Sequence, residues 1–150
     1  MLVKLFFSFI AGSGTGVLYN TEQRLIVYCG VSGMLTWFVY NIFALMNFSE
    51  ALASFIALMA LTFFTRFLSK LTRVPSMMFN IAGIMPIVPG ELLFKTFNNL
   101  SEKHYEAAVS YGFQAVLVGG AIAIGFMLNE VIARGFHLAK DTIQNSNLDI

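Results

Sequence analysis

The chain is short of charge, of cysteine and of proline, and each shortage narrows what it can be. Asp, Glu, Lys and Arg make up only 11% of 150 residues, against 57% hydrophobic residues and a mean hydropathy of +0.75. That balance excludes an ordinary soluble domain and describes an integral membrane protein. The formal net charge is +1, and no basic run is dense enough to neutralise a row of phosphates, so nucleic acid is not expected as a partner. With Cys29 alone no internal disulfide can form, and its apolar neighbours make it a small buried hydrophobe. His104 and His137 stand far apart in polar surroundings and make no metal-ligand pattern. Ser-Lys pairs, paired aspartates and His-rich clusters of the kind intramembrane catalysis needs are missing. No enzyme activity, catalytic residue, metal or cofactor is therefore expected.

Proline is scarce and concentrated. All three, Pro75, Pro86 and Pro89, fall in one stretch, and Gly90 follows the last directly. Two of them interrupt an otherwise apolar segment from Met77 to Phe97. Proline removes a backbone donor and clashes with the preceding turn, so this segment is a membrane helix broken near its middle. In lipid the freed carbonyls persist only against protein or a watery cavity, and transporters use such breaks to present backbone to a solute.

What is abundant is long apolar runs. Five are near or above the length that crosses ~30 Å of hydrocarbon: 2–19, 25–46, 51–68, the broken 77–97, and 107–133, with a polar tail over 134–150 expected to fray. The expected fold class is all-α, a single polytopic transmembrane bundle over 1–150. The first run resembles a secretory leader in its Lys4 and apolar core, but apolar character continues to Tyr19 and further spans follow, so an uncleaved helix is expected. With five spans, Lys4, Lys95 and Lys103 share one side; Arg24, Arg66, Lys70, Arg73, Arg134 and Lys140 share the other, which should be cytoplasmic. The N-terminus is then external. If 77–97 dips in and returns, four spans remain, and the count still favours an external start.

Two small-residue stripes predict helix contacts. Gly12 and Gly16 form one, and Gly112, Ala115, Gly119 and Ala123 form a longer one on a single helical face. Gly12-Ser-Gly-Thr-Gly16 looks like a phosphate loop, but it lacks a preceding strand and the expected lysine, so a packing face is the better reading. Glu102, His104 and Glu106 read as a solvated turn, because on a helix the histidine would face away from the two glutamates.

Glu91 is the ionisable group to explain. An ionised carboxylate within the bilayer costs at least ~2.5 kcal/mol unless paired, hydrated or protonated. Directly after Pro89-Gly90 it would meet the positive end of a half-helix. It binds a substrate ammonium, carries a coupling proton, or caps its own helix near the surface. Asn80 and Gln114 are further polar residues in apolar surroundings, suited chiefly to hydrogen bonding between helices.

The run from Leu68 to Phe94, with Lys70 or Arg73, Pro75, Pro86, Pro89, Gly90 and Phe94, resembles the membrane domain of the threonine/serine exporter family. The likeness is to the small, separately encoded subunit of its two-component members. Family members often carry tyrosine at Phe94 and a small or uncharged residue at Glu91, so neither a phenolic role nor a role for that carboxylate carries over. The resemblance implies an exporter of small amino acids such as threonine and serine, or of related small carboxylates, in the plasma or inner membrane. It implies a larger membrane subunit as partner; five short spans enclose little by themselves, so a partner or self-association is expected in any case. The substrate-binding residues expected are Pro86, Pro89, Gly90, Glu91, Phe94 and Asn80. The rival reading is a non-transporting scaffold or assembly subunit whose Gly and Pro features serve packing only.

Overall fold

The structure, a computed structural model, describes residues 2–146 and the side chains of residues 2–128 and 131. Every regular element among them is helical: α1 (Leu2–Leu18), α2 (Gln23–Leu45), α3 (Glu50–Thr72), α4 (Ser76–Ile84), a 3-10 turn (Met85–Ile87), α5 (Gly90–Ser101) and α6 (Tyr105–Ser146). The expected all-α class is met. Asn20 and Asn47 take left-handed φ values of 52° and 61°, which asparagine tolerates, so α1, α2 and α3 reverse direction within a few residues. Ser49 Oγ accepts from the Leu52 N–H at 3.4 Å and opens α3, with Glu50 beside the positive end of its dipole.

Helices α1 and α2 pack antiparallel at backbone range. A Cβ on Gly12 would lie 2.5 Å from the Cys29 carbonyl oxygen, and one on Gly33 would lie 2.8 Å from that of Ser8. The first small-residue stripe therefore meets a neighbouring helix, as expected. Behind it a core of Leu25, Cys29, Leu68, Phe79 and Ala82 joins α2, α3 and α4. Four hydroxyls inside the bundle bond within their own helices: Thr15 to the Ala11 carbonyl at 2.8 Å, Ser32 to Tyr28 at 2.9 Å, Thr36 to Ser32 at 2.8 Å and Ser54 to Glu50 at 2.7 Å. These groups are satisfied locally, so they cost little and leave no polar track through the bundle.

Three helices among the described residues, α2, α3 and α6, are long and apolar enough to cross a membrane, and the pair around the break makes a fourth if it counts as one span. Helix α1 has 17 residues, about 26 Å at 1.5 Å per residue, and is the shorter apolar helix of the set. Five full crossings are thus not reached by length: 2–19 yields a helix just under the ~30 Å of a hydrocarbon core.

The C-terminal expectations need correction. A frayed tail from Arg134 was expected, but α6 continues as helix to Ser146, 42 residues in all. Polarity ends a membrane crossing without ending a helix, and no proline follows Pro89 to stop this one. The second small-residue stripe does not meet one helix along its length either. A Cβ on Gly112 would lie 3.4 Å from Thr96 Cγ2 of α5, and Ala115 is buried beside Leu92, but Gly119 has nothing within 4 Å and Ala123 is exposed. Helix α5 is too short to follow the stripe further. At Gly125 another face of α6 has turned to α3, where a Cβ would meet Leu58 Cδ2 at 2.9 Å.

Candidate functional site at the broken helix

The break falls where the prolines predict. Pro86 has no N–H to offer the Ala82 carbonyl, and Pro89 none for that of Met85, so α4 ends at Ile84 and tightens into the 3-10 turn. The chain resumes as α5 with its axis turned by 45°. Gly90 N–H donates to the Val88 carbonyl at 2.7 Å and Leu93 N–H to that of Pro89 at 3.1 Å, closing the corner with local bonds. The 3-10 turn rests on α1 and α2: Pro86 Cγ lies 3.4 Å from the place a Cβ on Gly33 would take. Glycine at 33 is required by the Ser8 carbonyl of α1, 2.8 Å from that Cβ position, and the proline packs against the same spot.

Beside this contact is an open cleft of about 300 Å³ lined by Lys4, Phe7, Ser8 and Ala11 of α1, Trp37 of α2 and Pro86 of the break. The Ser8 hydroxyl donates to the Lys4 carbonyl at 2.9 Å. Lys4 itself is exposed and forms no ion pair among the described residues. From the sequence, Lys4 bore on orientation and on the leader-like start of the chain, and neither it nor Trp37 was among the residues expected at a site. A signal was present: Lys4, Ser8 and Gly12 follow at four-residue steps, as do Gly33 and Trp37, so each set shares the face on which α1 meets α2.

Of the residues expected to bind substrate, the structure brings Pro86 to the cleft wall. Pro89 is half-buried at the corner, and Gly90 and Glu91 open α5 just beyond it. Glu91 is 80% exposed, and its Oε1 lies 2.7 Å from Lys95 Nζ one turn on. Lys95 in turn sits 5.7 Å from the centre of the Tyr111 ring. Phe94 is 70% exposed on the outer face of α5 and does not join the cleft. Asn80 is buried in the seam between α3 and α4, where its Oδ1 accepts from the Thr65 hydroxyl. That is a bond between helices, the use its surroundings favour. Gln114 is exposed on α6. Glu102 accepts from Asn98 Nδ2 at 3.0 Å and lies 3.5 Å from His104 Nδ1 in an exposed turn between α5 and α6, a solvated arrangement as expected.

Charge gathers at one end of the bundle, where α1 and α3 begin and α5 leaves. The cations acting on Glu91 are Lys95 first and Lys4 more weakly, while Glu50 and Glu91 both act on Tyr40 of α2. Lys70 and Arg73 lie at the opposite end, where α3 stops with Arg73 in a left-handed conformation at φ 58°. This separation agrees with the alternation of Lys and Arg along the sequence. Arrayed so, the site is an unwound proline corner, a small cleft with one cation in its wall, and an exposed ion pair on the outgoing helix. Its cleft is small, with Lys4 and Ser8 the polar residues that α1 brings to the lining.

A family model described as Threonine/Serine exporter, ThrE matches residues 4–132, from the cleft lysine through the break and most of α6. No curated protein and no solved structure matches the chain. The matched span includes the proline corner and three helices able to cross a membrane, and on it the chain belongs to the threonine/serine exporter family, a family of transporters.

Proposed function

We propose that this chain is the small membrane subunit of an efflux transporter in the plasma or inner membrane, exporting threonine, serine or a related small carboxylate together with a larger membrane partner. The observation that carries the reading is the proline corner seated on Gly33 beside an open cleft. An unwound corner inside a bundle is costly in lipid, and the alternatives that would make it purely structural are weak here. The cleft beside it is open, and Thr15, Ser32 and Thr36 spend their hydroxyls on their own helices. The solute docks against Pro86 and the corner backbone. Helix α5, with Pro89, Gly90 and Glu91 in its first turn, is the piece that moves relative to α1 and α2 as access alternates.

Glu91 takes the ammonium of an amino-acid substrate in this scheme. Its Oε1 faces Lys95 and its Oε2 has no partner among the described residues. Export is measured as efflux of radiolabelled threonine and serine from loaded cells carrying the partner, with and without this chain. Glu91→Gln is expected to reduce threonine efflux at least tenfold while leaving thermal stability unchanged, because the carboxylate is exposed and its ion pair with Lys95 contributes little to folding. Efflux that persists unchanged in Glu91→Gln and in the absence of the chain would replace the exporter reading by a scaffold.

A further inference from the structure

The residues lining the cleft include one cation, Lys4, and no carboxylate. The remaining lining is apolar in Phe7, Ala11 and Pro86, with the Ser8 hydroxyl donated to the Lys4 carbonyl and the Trp37 indole N–H bonded to nothing among the described residues. An exposed lysine with no ion partner among the described residues and a tryptophan with an uncommitted N–H, lining one cleft with apolar neighbours, make a set suited to the anionic end of a short organic acid. The volume of about 300 Å³ is at the small end of ligand pockets and suits a solute of the size of threonine.

We propose that the cleft between α1, α2 and the proline corner is a carboxylate subsite in which Lys4 Nζ and Trp37 Nε1 take the carboxylate of a small α-amino acid. The proposal rests on the exporter reading for its choice of amino acids among small carboxylic acids. It also resolves a difficulty in that reading: a carboxylate approaching the first turn of α5 meets the like charge of Glu91. With Lys4 taking the anion, the two ends of the zwitterion separate, carboxylate toward α1 and ammonium toward Glu91. Pro86 of the cleft wall and Glu91 are five residues apart on either side of the corner, so both ends stay near one turn of chain. The short side chain then packs on Phe7, Ala11 and Pro86.

Trp37 is the sole tryptophan of the sequence, so intrinsic fluorescence reports on the cleft directly. The full chain in phospholipid nanodiscs is titrated with L-threonine, with lactate as a carboxylate lacking the ammonium, and with threoninol as an amine lacking the carboxylate. Saturable changes are expected with threonine and, more weakly, with lactate, but not with threoninol. Lys4→Ala should weaken the threonine response at least tenfold, the loss of one charge-assisted bond, while Lys4→Arg keeps it within a few-fold. Far-UV circular dichroism confirms that each variant is folded. A wild-type chain silent to threonine and lactate, a Lys4→Ala variant that responds like wild type, or threoninol binding as well as threonine overturns the subsite. Efflux assays separate the two claims. Threonine efflux that is intact in Lys4→Ala removes the subsite and leaves the exporter. A Lys4-dependent response to lactate in a chain that exports neither threonine nor serine keeps the subsite and removes the amino-acid reading.

Discussion

The bundle of α1 to α4 and the arm of α5 and α6 both use glycine and alanine stripes, yet only the bundle closes on them. Between α1 and α2 the backbones touch at Gly12 and Gly33, and the seam between α3 and α4 is buried around Phe79 and Asn80. In the arm, α5 meets α6 at Tyr111, Gly112 and Ala115, and further on Gly119 faces open space. Phe94, Phe97, Val109, Phe113 and Val116 stay exposed along the arm. Helix α6 runs alongside α3 in the same direction, with Ala51 near Ala115 and Val118 and Leu58 near Gly125, so its first turns extend past the start of α3. The lesson is that a small-residue stripe signals close approach only where a partner helix of matching length lies alongside. In a membrane the uncovered arm faces lipid or another subunit, since neither is disfavoured by an apolar surface.

Four substitutions bear on this contrast, beginning with the largest effect. Gly12→Val drives a side chain into the Cys29 carbonyl, which is backbone and cannot swing aside, so α1 must leave α2. A loss of about 3 kcal/mol is expected in denaturant titration of the detergent-solubilised chain, with collapse of the cleft and of threonine efflux. Tolerance of valine there would show that the bundle is not closed on its glycines. Thr65→Ala removes the hydroxyl that serves the buried Asn80 carbonyl oxygen, and should cost about 2 kcal/mol in the same titration. The pair Thr65→Ala with Asn80→Leu should recover much of that loss if the unpaired amide is its cause.

Ser13→Ala is expected to act in the opposite direction. The Ser13 hydroxyl is buried against Gly30 in the α1–α2 seam without a hydrogen-bond partner, and deleting it should raise stability by up to about 1 kcal/mol, read as a higher Tm. A lower Tm would mean that the hydroxyl is satisfied in the membrane. Gly119→Val is the counterpart of Gly12→Val on the arm and should shift stability by less than about 0.5 kcal/mol, because no atom lies within 4 Å of the new Cβ. Should it abolish efflux while the Tm holds, the larger subunit sits on that face.

Much of the architecture was legible in the residues, and the misses have definite causes. The boundaries of α2 and α3 follow from apolar runs closed by polar turns, and the corner at Ile84 follows from Pro86 and Pro89, since a missing N–H acts locally. Asn80 as an interhelical bond was also readable, because a buried amide in lipid needs a partner. The length of α6 was not, since hydropathy reports where lipid ends and says little about where helical hydrogen bonding stops. That Lys4 and Trp37 line one cleft was not readable, because it depends on two helices meeting, with the two residues 33 apart along the chain.

Composition and local chemistry alone decided that this is a helical membrane protein and that its fourth apolar segment bends, because each of these depends on solvent preference or on one or two adjacent peptide bonds; membership of the threonine/serine exporter family rests on likeness to other sequences over 4–132. The tertiary structure decided which glycines are contacts and which are bare, that Asn80 is structural while Lys4 lines the cleft, and that Glu91 is an exposed ion pair leaving the bundle. Those outcomes depend on distances between helices, which no single helix encodes.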